Sequence, residues 1–193
     1  PLAERQTAAG DYGVADAFNQ SLAMLGLAAA GETLPEPGAA WLEAKQAANG
    51  SWDDGFGTTD NPDATAMAIM ALLAAGRGPD DAAVAAAAGF LAGARAAAGG
   101  WSYGPGLPPD ANSTALVVQA LIALGEDATA AEGRWARAGR APLDALLAFQ
   151  SDSGAFQADF GDGPFDDFLS TVQAIPAAAG RAWTALGGEA GQG

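Results

Sequence analysis

Carboxylates, amides and hydroxyls must carry whatever chemistry this chain performs, because its 193 residues include no cysteine and no histidine. Thiolate nucleophiles, disulfides, histidine-dependent triads and the usual zinc sites are therefore excluded. Asp63, Asp110 and the pair Asp166-Asp167 stand out by position. Each lies in a polar loop just before an apolar run that opens with Thr65, Thr114 or Thr171. Acidic and hydroxyl side chains at such places cap helices and offset the positive end of the helix dipole. If the helices run parallel, their starts share one rim. The same side chains then form a polar ring around the mouth of an apolar cavity, with Asn112, Thr114, Gln119 and Gln173 directed at a ligand. Gln119 and Gln173 carry the most weight, since an amide in an apolar helix needs a buried partner, either a ligand or a neighbouring helix. The expected ligand-binding set is Asp63, Thr65, Asp110, Asn112, Thr114, Gln119, Thr171 and Gln173.

No metal site is expected. The pairs Asp53-Asp54, Asp80-Asp81 and Asp166-Asp167 do not continue as Asp-Asp-x-x-Asp, and no basic group follows to hold a diphosphate. Asp159, Asp162, Asp166 and Asp167 form an acidic cluster without the calcium-loop spacing of an EF-hand. Two glycine-rich loops, Asp54-Gly-Phe56-Gly and Trp101-Ser-Tyr103-Gly, offer aromatic rings to a flat or apolar ligand, or simply close turns.

These residues are positioned by a repeat. Gln46-x3-Gly50-x-Trp52, Arg95-x3-Gly99-x-Trp101 and Gln150-x3-Gly154-x-Phe156 share one register, with the aromatic residues 49 and 55 positions apart. Each turn is expected to follow a half-exposed outer helix, at 38–46, 80–98 and 142–150. Each is expected to precede an inner helix that is apolar nearly all round, at 65–75, 114–124 and 172–179. An all-apolar helix must be buried on every side. Residues 16–30 read as an earlier inner helix lacking its outer partner. Gly31, Gly76, Gly125 and Gly180 stand where left-handed caps are wanted. Pro176 is expected to kink the last inner helix or end it. The fold class is all-α, with about seven main helices in an inner and an outer layer. One domain over residues 1–186 and a flexible tail at 187–193 are expected.

Half the residues are apolar, and 23 acidic against 8 basic residues leave a net charge of −15. That balance argues against a nucleic-acid surface. No run of apolar residues is long enough for a membrane span. The chain opens at Pro1 without a leader-like segment. Its lack of cysteine and its single lysine, Lys45, fit an exported protein, so the expected location is extracellular or at the cell surface.

The three turns resemble the QW repeat of the class II terpene cyclases, a branch of the α/α-toroid superfamily. Residues 112–125, Pro142 to Gln150 and Ser170 to Ala177 are similar to the transcobalamin and intrinsic-factor group and to surface proteins with prenyltransferase/squalene-oxidase repeats. The resemblance spans roughly residues 14–183 and implies a partial toroid. It also implies binding of a small amphipathic ligand, a corrinoid in the carriers' case, by Asn112, Thr114, Gln119 and Gln173. Without histidine, imidazole ligation of cobalt is excluded. Gly180-Arg-Ala-Trp183 departs from the carriers' Gly-Lys-Thr-Tyr. Asp60-Asn-Pro-Asp63-Ala-Thr-Ala resembles the cyclases' Asp-x-Asp-Asp-Thr-Ala acid, with Asp63 in the proton-donating place and the flanking acids replaced by Asn61 and Ala64. The expected function is thus a non-catalytic binding module. The alternatives are a cyclase-like enzyme with Asp63 as general acid, or a surface scaffold without a pocket. The expected partners are a small molecule and either a second copy or another toroid half.

Overall fold

The computed structural model describes residues 2–185. The chain is all-α: seven α-helices and one two-stranded ribbon are present among the described residues. The inner helices are α1 (Ala17–Ala29), α3 (Pro62–Ala74), α5 (Ala111–Ala123) and α7 (Phe168–Ala178), and they pack side by side in chain order. The outer helices are α2 (Glu36–Ala44), α4 (Ala82–Ala94) and α6 (Pro142–Leu147). α2 bridges α1 and α3, α4 lies on α3, and α6 bridges α5 and α7.

Burial follows the hydropathy in α3 and α5 but not in α7, expected to be buried all round: only Ser170, Ala174 and Ala177 are buried there, and Phe168, Leu169, Val172 and Ile175 are exposed because no further helix packs on that side among the described residues. Every residue from Pro62 to Leu72 is buried, as is every residue from Ser113 to Leu121. The outer helix α4 buries only Val84, Ala87, Ala88 and Leu91, one stripe at helical spacing. A short 3₁₀ turn, Trp183–Ala185, crosses back onto α1, α3 and α5, and Ala182 and Trp183 join their apolar cluster.

The glycine caps are as expected: Gly31, Gly76, Gly125 and Gly180 all have positive φ. Several boundaries differ. α4 ends at Ala94 and α6 at Leu147, short of the expected 98 and 150, because the chain already enters the turn. The turn is closed by Ala96 N–H to Gly100 O and by Ser151 N–H to Ala155 O. α7 runs through Pro176 to Ala178. The strands β1 (Gln157–Ala158) and β2 (Phe165–Asp166) pair antiparallel around Asp162-Gly163. The tail at 187–193 lies outside the described residues.

Candidate functional site

Four such turns occur among the described residues, and a glutamine closes three of them. Gln46 Nε2 donates to Gly50 O (3.0 Å), Gln150 Nε2 to Gly154 O (2.9 Å), and Gln6 Nε2 to Gly10 O (3.1 Å). Gln6-x3-Gly10-x-Tyr12 is thus a further copy that the three-turn register missed. Its signal was present, but a tyrosine replaces the tryptophan, and the residues just before it, Leu2–Arg5, form a 3₁₀ turn. In the later copies a threonine one turn into the inner helix receives the aromatic residue's amide. Trp52 N–H donates to Thr65 Oγ1 (3.1 Å), Trp101 N–H to Thr114 Oγ1 (3.0 Å), and Phe156 N–H to Thr171 Oγ1 (2.9 Å). Gln20 does the same for Tyr12 at 3.0 Å. The three threonines of the expected set therefore spend their hydroxyls on the fold.

Neighbouring copies interlock at the inner-helix starts. Asn61, Asp110 and Asp167 cap α3, α5 and α7. The cap of α3 is thus Asn61 rather than Asp63: Pro62 takes the first helical position and carries Asp63 into the first turn. Asn61 Nδ2 reaches across to Tyr103 O (2.8 Å), and the Tyr103 hydroxyl donates to Asp54. Asn112, Gln119 and Gln173 come together between α5 and α7. Asn112 Nδ2 donates to Gln173 Oε1 (2.8 Å), Ser170 Oγ to Asn112 Oδ1 (2.6 Å), and Gln119 Nε2 to Gln173 O (3.0 Å). The amides meet a neighbouring helix, the second of the two partners open to them. Gln119 Oε1 remains buried without a donor.

Asp63 is the electrostatic anomaly of the rim. It is buried, and one carboxylate oxygen has no partner. Burial pushes its pKa up to about 7; a hydrogen bond from Ser113 opposes the rise, and the charges of Asp110 and Asp54 add to it. Burial also raises Asp110. Burial acts upward on Asp54 too, but hydrogen bonds from Tyr103 and from the Phe56 and Thr58 amides outweigh it and hold that carboxylate low. Asp63 therefore gains and loses its proton near neutrality, while Asp54 is held below the ordinary carboxylate range.

A groove of ≈ 530 Å³ opens beside this rim, within the usual range for small-molecule sites. One wall is the last turns of α4, with Gly89, Phe90, Gly93 and Ala94; the other is the loop from Ser102 to Leu107. Pro62 and Asp60 form its end at the start of α3. The space exists because two residues one helical turn apart lack side chains: a Cβ on Gly89 or Gly93 would meet nothing within 4 Å. Asp60 sits at φ 53°, where its Oδ1 accepts from Asn49 Nδ2 and Ser51 Oγ, each at 2.7 Å. Those bonds, Ser51's first, lower its pKa and keep it anionic. None of the eight expected binding residues lines this groove. It is made by tertiary packing of a loop on a helix, and of its walls only the glycine-rich loop after Trp101 was among the expected ligand contacts.

No cluster of acidic residues suited to a metal occurs among the described residues, and no described helix is long and apolar enough to cross a membrane. In comparisons with known proteins, neither a family model nor a curated protein matches the chain.

Proposed function

We propose that this chain is a non-catalytic binding module for a small amphipathic ligand, held in the groove at the N-terminal rim of α3. The groove itself carries the reading. Phe90, Ala94, Pro105 and Leu107 supply an apolar bed, and Asp60 and Ser102 supply a polar end. Glycine at 89 and 93 is otherwise a cost to α4, about 1 kcal/mol each relative to alanine, and the open space is what that cost provides. The reading agrees with the resemblance to the toroid carriers in kind, while moving the site from the α5–α7 junction to the α3–α4 edge.

Calorimetric titration of the full chain with octyl glucoside below its micelle concentration, and with cobinamide, tests it. One saturable site is expected with at least one of them. A Cβ at position 93 would meet nothing within 4 Å and leucine improves helix propensity, so Gly93→Leu should keep the fold, fill the groove and abolish binding. Undiminished binding in that variant, or no uptake of either probe by the parent chain, would contradict the proposal.

One feature favours a second reading: a buried Asp63 whose pKa is raised to about 7, with the charges of Asp110 and Asp54 adding to the rise. Such a carboxyl is suited to protonating an alkene or epoxide. Incubation with squalene or its epoxide should then yield cyclic products that vanish in Asp63→Asn; products insensitive to that change would dismiss it.

A further inference from the structure

The register that puts Gln46 and Gln150 at the ends of their outer segments puts Arg95 at the end of α4. Arg95 is 5% exposed, yet its Nε and Nη1 have no hydrogen-bond partner. Its Nη2 makes one long bond, to Arg140 O at 3.3 Å, and the guanidinium lies 5.1 Å from the centre of the Trp101 ring. Two further cations are brought to it by a tight turn. Arg137 and Arg140 exchange both backbone bonds, with Ala138 and Gly139 at positive φ between them. Arg137 Nη2 donates to Arg95 O at 3.3 Å. The Arg140 stem lies beside the Arg95 guanidinium, since a Cβ on Gly99 would be 3.4 Å from both Arg140 Cδ and Arg95 Nη2.

Three of the chain's 8 basic residues therefore converge, in a protein of net charge −15, without an ion pair to any described acid. Burial, then the charges of Arg137 and Arg140, lower the pKa of Arg95. A buried guanidinium with idle donors is costly unless an anion meets it. Its planar fork suits the paired oxygens of an oxyanion. Arg137 and Arg140 are exposed, so an anion from solvent meets them first, beside the Arg95 guanidinium.

We infer that Arg95, Arg137 and Arg140 form a binding site for a phosphate-class oxyanion, either free phosphate or the phosphate group of a small monoester. The site lies outside the groove lining and stands or falls independently of it.

The test is thermal unfolding of the full chain with added inorganic phosphate or phenyl phosphate, against sodium chloride at matched ionic strength. A saturable rise in Tm is expected at millimolar phosphate, beyond that in chloride. Earlier half-saturation by phenyl phosphate assigns the site to monoesters, and earlier half-saturation by inorganic phosphate assigns it to the free anion. Arg95→Gln restores the residue that the sister turns carry, so it should fold and lose the saturable rise. Arg137→Ser, at an exposed position, should raise the half-saturating concentration about tenfold. No phosphate-specific rise in the parent chain, or a rise unchanged in both variants, would overturn the inference.

Discussion

Asp63 sets a pH dependence that runs opposite to that of most carboxylates. Its pKa in the fold is about 7, against an ordinary value of 3.8. Below the ordinary value both folded and unfolded chains hold the proton, and no penalty exists. Between the two values the folded chain holds a proton that the unfolded chain has released, so stability falls as pH rises. Above about 7 the full penalty applies, ~4 kcal/mol from a difference of about three pKa units. Asp63→Asn removes the ionisation. Urea unfolding should show the variant gaining on the parent chain by a few kcal/mol between pH 4 and pH 8; an offset independent of pH would contradict the assignment. Thr65 gives a second residue-scale prediction. Thr65→Val leaves the buried Trp52 amide without its acceptor and should cost about 1–3 kcal/mol by the same measurement.

At the scale of elements, the turn glycines separate two effects that sequence alone merges. Gly50 and Gly154 occupy the same place in the repeat, with φ of 91° and 89°. A Cβ on Gly50 would lie 2.3 Å from Ala86 O in the next outer helix, whereas one on Gly154 would meet nothing within 4 Å. Gly154→Ala should cost about 1–2 kcal/mol for the left-handed backbone alone. Gly50→Ala should cost about 3 kcal/mol or more, because two outer elements must part; equal losses in denaturation would refute this packing. The inner helices, their glycine caps and the three strongest turns were readable because buried apolar runs and positive-φ glycines are local signals. The fourth turn was obscured by Tyr12 in place of tryptophan and by the 3₁₀ turn Leu2–Arg5 in place of an α-helix just before it. Asp63 was read as a cap because Pro62 was not recognised as the first helical residue. The end of α4 was hidden by alanines that continue to Ala98 while the chain has already turned. Of the groove only the glycine-rich loop after Trp101 was readable, since the space itself depends on where residues 102–107 fold relative to α4.

For the whole molecule, the acidic surplus and the stacked copies pull in opposite directions. A net charge of −15 strains the compact state by self-repulsion. Raising sodium chloride from 10 to 300 mM, on the order of a change in screening length from tens of ångströms to a few, should therefore raise Tm; a flat or falling profile would mean that local pairing outweighs the net field. Against that repulsion stand two apolar clusters, one of α1, α3, α4 and α5 against which Trp183 packs, the other joining α5 to α6 and α7, with capping side chains at the helix starts. The groove is a by-product of that stacking, at an edge where a loop lies over a glycine-bearing helix. Amide hydrogen exchange with and without the bound amphiphile is the most direct trial of the functional account. Slowed exchange confined to residues 89–96 and 102–107 is the predicted result. Slowing centred instead on residues 111–119 and 168–173, or no change anywhere on addition of ligand, would contradict it.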